Sequence, residues 1–197
     1  IDFWKKKKKR IIFNTESEEL SLEKIRLEAL EKENLNCVWQ FCMSRKFIKD
    51  NNIKFKKGIK VGEDVTFNLD MLSYKPRIYY LNKCLYWYSY NANSVMNNNS
   101  IKNIDNRLKD STKVYIKNYE YAKKWNMDTL DNRKKISSKY YDLLSFEFNQ
   151  LVNSRGTFKG KIALMKKYMN SRETIIARSG ASIKDFILKD KLFIFYK

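Results

Sequence analysis

The sequence predicts an α/β first half followed by a helical second half. Three observations carry this reading. Short β-like runs at 11–13, 77–81 and 85–90 alternate with helical stretches. After residue 100 the apolar residues recur at helical spacing only. A polar, Asn-rich stretch at 91–100 separates the two regimes, so the expected division is 1–98 and 99–197.

The chain begins with a basic run at 5–10, read as a solvated turn or strand edge, and Ile11, Ile12 and Phe13 read as a short strand. Ser17 or Ser21 is positioned to cap a helix over 24–33, with Leu22, Ile25, Leu27 and Leu30 as its buried positions and Asn34 and Asn36 as its end. Residues 38–43 are apolar and aromatic. The run 44–50 predicts a short helix leading into an Asn51-Asn52 turn.

Gly58 and Gly62 bracket a loop that delivers Glu63 and Asp64 to the start of a helix reaching about Tyr74. Val65, Leu69 and Leu72 share one face of that helix, and Phe67, Met71 and Tyr74 share a second, so it is expected to be buried on two sides. Pro76, the only proline, marks its end. Asn82-Lys83 fits a tight connection between the runs 77–81 and 85–90. In the second run Tyr86, Tyr88 and Tyr90 alternate with Leu85, Trp87 and Ser89.

In the second half, Ile104, Leu108, Tyr115, Tyr119 and Ala122 fit one helix, and Ile136, Tyr140, Leu143, Leu144 and Phe148 fit another. A third runs over 162–169 after Gly156 and Gly160. The tail, 183–197, interleaves apolar clusters with Lys and Asp; it reads either as packing on the helices before it or as a segment lying on an anionic membrane. No catalytic constellation is evident after residue 100.

A chain of 197 residues with 43% hydrophobic content can bury one core, or a core with a smaller appendage. Its first residue is Ile, which raises the expectation of an upstream region. The formal net charge of +19 fits either a Lys- and Asn-rich proteome bias or an anionic partner: phosphate, anionic lipid or nucleic acid. Lys far outnumbers Arg, and Lys lacks the planar fork that reads phosphates and bases bidentately, so the charge suits general attraction. The absence of His excludes His-based triads, bases and metal ligands. Cys37, Cys42 and Cys84 match no zinc spacing and are expected to be buried free thiols of a reducing compartment. No apolar run is long enough to span a bilayer, and no signal peptide is visible.

Chemistry is concentrated at Gly62-Glu63-Asp64-Val65-Thr66-Phe67-Asn68. An acid before a helix is ordinarily a cap or a first-turn charge favoured by the helix dipole. An acid held on a rigid helix start can also reach a substrate hydroxyl. The order of the flanking elements matters here: Cys37-Val38-Trp39 and 45–55 upstream, Tyr86-Trp87-Tyr88 and Asn93-Ser94-Val95-Met96 downstream.

Over about 35–97 this order resembles the acceptor-side half of a family 2 glycosyltransferase. The resemblance implies the second half of a GT-A type α/β domain followed by a helical extension. It implies inverting transfer of a sugar from a nucleotide diphosphate donor to a saccharide or lipid-linked acceptor, as in bacterial surface-polysaccharide synthesis. Asp64 would be the general base and Glu63 its support. Trp39 could stack on the acceptor sugar or pack in the core beside Val38 and Phe41. Arg45 could reach a phosphate or form a surface ion pair.

The family's Asp-x-Asp motif, which holds the divalent metal (Mg or Mn) and the donor diphosphate, is absent from these residues. The metal is therefore expected in a full-length enzyme whose donor half lies upstream, with no ligands for it identified in this chain, and 1–197 alone is expected to be inactive. The Gln-x-x-Arg-Trp motif of processive synthases is also absent, which favours single-sugar transfer. The implied location is cytoplasmic, peripheral to the inner face of the membrane, where an anionic surface would suit the charge. The alternative is a basic nucleic-acid-binding or membrane-surface adaptor without catalysis. The aromatics lie mostly in apolar patterns and no nucleic-acid motif is visible, so no specific nucleic-acid partner is expected.

Overall fold

The computed structural model describes residues 15–32, 35–83, 85–86 and 99–180, with residues 179 and 180 described for their backbone alone. Two short strands, β1 (Glu18–Leu20) and β2 (Ile78–Tyr80), pair antiparallel with Leu20 opposite Ile78 and Glu18 opposite Tyr80. Among the described residues there are seven α-helices: α1 (Leu22–Glu31), α2 (Arg45–Asp50), α3 (Glu63–Ser73), α4 (Ile101–Lys124), α5 (Leu130–Val152), α6 (Phe158–Met169) and α7 (Arg172–Gly180). The described residues are thus mostly helical, with one small sheet.

The helix starts follow from side-chain chemistry. Ser21, Ser44, Ser100, Thr129 and Thr157 each accept a backbone N–H from the first turn of the helix they precede. Each such cap satisfies a donor that the helix cannot, for about 1 kcal/mol. The helix α3 is the exception, because Gly62 precedes it in the left-handed region at φ 82°. Lys75, also left-handed at φ 52°, and Pro76 turn the chain away after α3.

The centre of the fold is the pair α4 and α5, two long helices joined by residues 125–129 and packed along each other. α3 packs on α4, α1 packs on α5, α6 packs on both, and α7 packs on α5 and α6. Leu30, Leu69, Leu72, Ile104, Leu108, Leu144 and Leu151 belong to one buried cluster. Apolar residues from both sides of position 98 therefore share a single core.

Within that core lies an ion pair. Arg107 of α4 is 1% exposed and Glu147 of α5 is 3% exposed, with Arg107 Nη2 2.8 Å from Glu147 Oε2 and Arg107 Nε 2.9 Å from both carboxylate oxygens. Arg107 also donates to Asn99 Oδ1 at 3.2 Å, and Asn99 donates in turn to Gln150 Oε1 at 2.7 Å. A charge pair this dry is held by its hydrogen bonds, since desolvation offsets most of its Coulomb attraction.

Several expectations change. The run 77–81 is a strand only over 78–80, and its partner is Glu18–Leu20, a segment with no β-like pattern of its own. Leu85 and Tyr86 are exposed and outside any strand, and the remainder of 85–90 lies outside the described residues, as do 11–13 and the tail. Tyr74 is exposed, because α3 ends at Ser73 before its second face is complete. Cys42 is an exposed thiol and Cys37 a half-buried one, since the 37–43 segment runs along the surface rather than through the core; Cys84 lies outside the described residues. The helix α7 had no counterpart in the expectations.

The buried ion pair yields a clear expectation for urea unfolding. Glu147→Gln leaves the buried Arg107 without the carboxylate that balances its charge, and should cost about 3–5 kcal/mol. The double replacement Arg107→Met with Glu147→Leu should recover most of that loss. A single substitution costing no more than a surface change would show that the pair is not closed to water.

Candidate functional site

Glu63 and Asp64 are the first two residues of α3, whose next five residues are all buried. The helix start is held from three directions. First, the preceding loop is tied to α4: the buried Asp110 carboxylate accepts the backbone N–H groups of Lys60 at 2.9 Å and Val61 at 3.3 Å. Lys113 Nζ bridges the same loop, 3.0 Å from Asp110 Oδ1 and 2.7 Å from the Gly58 carbonyl. Second, Gly62 lies against Val114. A Cβ on Gly62 would come within 2.6 Å of Val114 Cγ2, so glycine is required here by both its left-handed φ and its close approach.

Third, α3 grips the 35–40 segment through residues one helical turn apart. Asp64 Oδ2 accepts the Val38 N–H at 3.1 Å, and the buried Asn68 donates to the Leu35 carbonyl at 2.9 Å. The spacing of four residues puts both side chains on one face of the helix. Val38–Gln40 forms a single 3₁₀ turn, steadied by Gln40 Oε1 accepting the Cys37 N–H at 2.9 Å. Trp39 rides on that turn and stacks on Tyr86, with ring centroids 4.7 Å apart and planes 15° apart.

The structure therefore brings Glu63, Asp64 and the Trp39 turn together. Asp64 is half-buried and forms no ion pair among the described residues; its other oxygen takes no hydrogen bond there. One face of Trp39 is occupied by Tyr86. Arg45 opens α2, is exposed, and has no hydrogen bond or ion pair to Glu63, Asp64 or Trp39. Burial pushes the Glu63 carboxyl above its ordinary value, and the charges of Asp64 and Asp110 add to that push, against the pull of its own backbone N–H.

Asp110 and Lys113 were not singled out from the sequence. The available signal was position: Arg107, Asp110, Ser111 and Asn118 are polar residues on the buried stripe of α4, which also carries Leu108, Val114 and Tyr115. No three Asp, Glu or Cys side chains among the described residues converge to hold a metal ion. The described residues thus offer no ligand set for the divalent metal that the resemblance implies, and no chemistry is routed through it. No helix among the described residues is long and apolar enough to cross a membrane. No family model, curated protein or solved structure matches the chain.

The shift at Glu63 has a sign that can be checked. A carboxyl whose folded-state pKa is raised binds protons more tightly when folded. Its cost to stability is absent below the unfolded value, near 4.5, and is complete once the pH exceeds the folded value. Glu63→Gln should therefore raise the melting temperature at pH 7 and leave it unchanged at pH 3.5 or below. A variant less stable than wild type at pH 7 would reverse that assignment.

Proposed function

We propose that this chain is the acceptor-side portion of an inverting glycosyltransferase of the family 2 type, with Asp64 as general base. The observation that carries the reading is the Glu63-Asp64 pair at the mouth of a buried helix, beside the aromatic turn at Trp39. In this reading the free oxygen of Asp64 takes the proton of an acceptor hydroxyl while the oxygen of that hydroxyl attacks the anomeric carbon of the donor. The bond from that carbon to the nucleotide diphosphate breaks on the opposite face, which inverts the configuration. Glu63, less acidic than an ordinary carboxyl, stays beside Asp64 and shapes its field.

The arrangement supports this role physically. A general base must be held within hydrogen-bond reach of its proton. The Val38 N–H fixes one Asp64 oxygen without neutralising the carboxylate. Trp39 offers an apolar platform next to it, and the acceptor sugar would lie between the two. The donor-binding half, its metal and a cytoplasmic site at the inner membrane face belong to the same proposal, as does the saccharide or lipid-linked acceptor.

The test is Asp64→Asn in the complete enzyme that carries these residues. Asn still accepts the Val38 N–H, so folding should be preserved. Transfer from a nucleotide diphosphate sugar should fall by about a hundredfold or more. Turnover at the wild-type rate would remove Asp64 from the role of base.

A further inference from the structure

A helix from the second half of the chain reaches the segment that holds Asp64. Lys139 lies on the inward stripe of α5 with Ile136 and Tyr140 and is 7% exposed. Its ammonium donates to the Ala29 carbonyl at 3.0 Å, the Lys32 carbonyl at 2.9 Å and Asn36 Oδ1 at 3.2 Å. A buried ammonium has three N–H donors to satisfy. Two of these contacts cap α1. The last carbonyls of a helix lack partners within it and carry the negative end of its dipole, so a cation is favoured there. The third contact does something different. Asn36 lies beyond the cap of α1 and two residues before Val38.

Residues 35–40 are therefore held from two helices. From α3, Asn68 donates to the Leu35 carbonyl and Asp64 accepts the Val38 N–H. From α5, Lys139 holds Asn36, which lies between those two contacts in sequence. A hydrogen bond to a carboxylate needs its donor well aimed. If the turn shifts, the Val38 N–H leaves Asp64 Oδ2 and the carboxylate is free to rotate. Lys135 offers an internal comparison. It lies one turn earlier on α5 and also joins α5 to α1, but its partners are Glu31 at 2.7 Å and Asp131 at 2.8 Å, neither of them in the 35–40 segment.

We infer that Lys139 is a positioning residue of the candidate site: by holding Asn36 it fixes the turn whose Val38 amide orients the Asp64 carboxylate. The placement of the turn rests on these contacts alone. Its consequence for sugar transfer rests on the reading of Asp64 as general base. The helical second half then shares in the site itself, beyond covering the core.

The experiment has two parts. The first is amide NMR on the chain, following the Val38 N–H in wild type, Lys139→Met, Asn36→Ala, Asn36→Asp and Lys135→Met. Asn36→Ala removes only the branch to the turn and leaves the α1 carbonyls capped, so it decides the matter even where Lys139→Met fails to fold. In Lys139→Met and Asn36→Ala the Val38 resonance should move upfield, and its exchange with solvent should quicken about tenfold, the scale for one hydrogen bond. Asn36→Asp keeps an oxygen for the ammonium and should hold both signals near wild type, as should Lys135→Met. An unchanged Val38 in Asn36→Ala overturns the inference. So does an equal change in Lys135→Met, because the effect would then belong to α1–α5 packing in general. The second part is turnover of the complete enzyme. Asn36→Ala should lower kcat about tenfold at unchanged KM for the nucleotide sugar, the pattern of a misdirected base, and Asn36→Asp should recover it. A changed Val38 with kcat intact overturns the positioning role in transfer. The two readings fail separately: wild-type turnover in Asp64→Asn would sink the base assignment and leave the Val38 result standing.

Discussion

The Asp110 carboxylate is the constraint on which the candidate site depends. It is nearly buried, at 6% exposure, yet it carries a charge in a chain with a large cationic excess. Two loop amides and one ammonium satisfy it. Charge-assisted bonds of this kind are worth about 1.5–3 kcal/mol each. They fix residues 58–61 against α4 and so determine where α3 begins. Without that tether the loop has two left-handed glycines and little apolar burial to hold it.

The same economy recurs along the α4 and α5 pair. Polar groups on the inward stripe are used to join elements distant in sequence. Arg107 reaches Glu147, Asp110 reaches the 60–61 amides, and Tyr121 donates to Asp70 of α3 at 2.8 Å. Burial and the Asp70 bond together push the Tyr121 hydroxyl well above its ordinary range, so it stays a donor at any physiological pH. Apolar contact supplies the bulk of the driving force, and these bonds select one register among the packings it allows. The position of Glu63 and Asp64 is thus set largely by α4, a helix from the half of the chain that shows no catalytic pattern of its own.

Local signals were legible in the sequence and non-local ones were not. The spacing of Val65, Leu69 and Leu72 located α3, the choice of Ser17 or Ser21 and the run 44–50 located two helix starts, and the structure makes Ser21 and Ser44 the caps, because periodicity and capping act over a few residues. The helical character of 101–169 was equally plain. β1 was not, since three residues paired with a segment some sixty positions later leave no periodic trace. Of the site, the acids were evident and their supports were not. A turn at 38–40 held by Asp64, and a loop held by Asp110, are long-range hydrogen bonds with no sequence signature beyond a polar residue on an otherwise apolar face. The exposure of Tyr74 and Cys42 has the same origin: apolar character alone does not say whether another element arrives to cover a residue.

The most direct measurement is amide hydrogen exchange, residue by residue, in wild type and Asp110→Ala. If the buried carboxylate holds the loop, exchange at Lys60 and Val61 accelerates strongly, and the change spreads to Glu63 and Asp64 at the start of α3. The amides of α5, which Asp110 does not touch, keep their protection. Unaltered protection at Lys60 and Val61 would contradict the account, because the loop and the acidic pair would then be positioned by something other than Asp110.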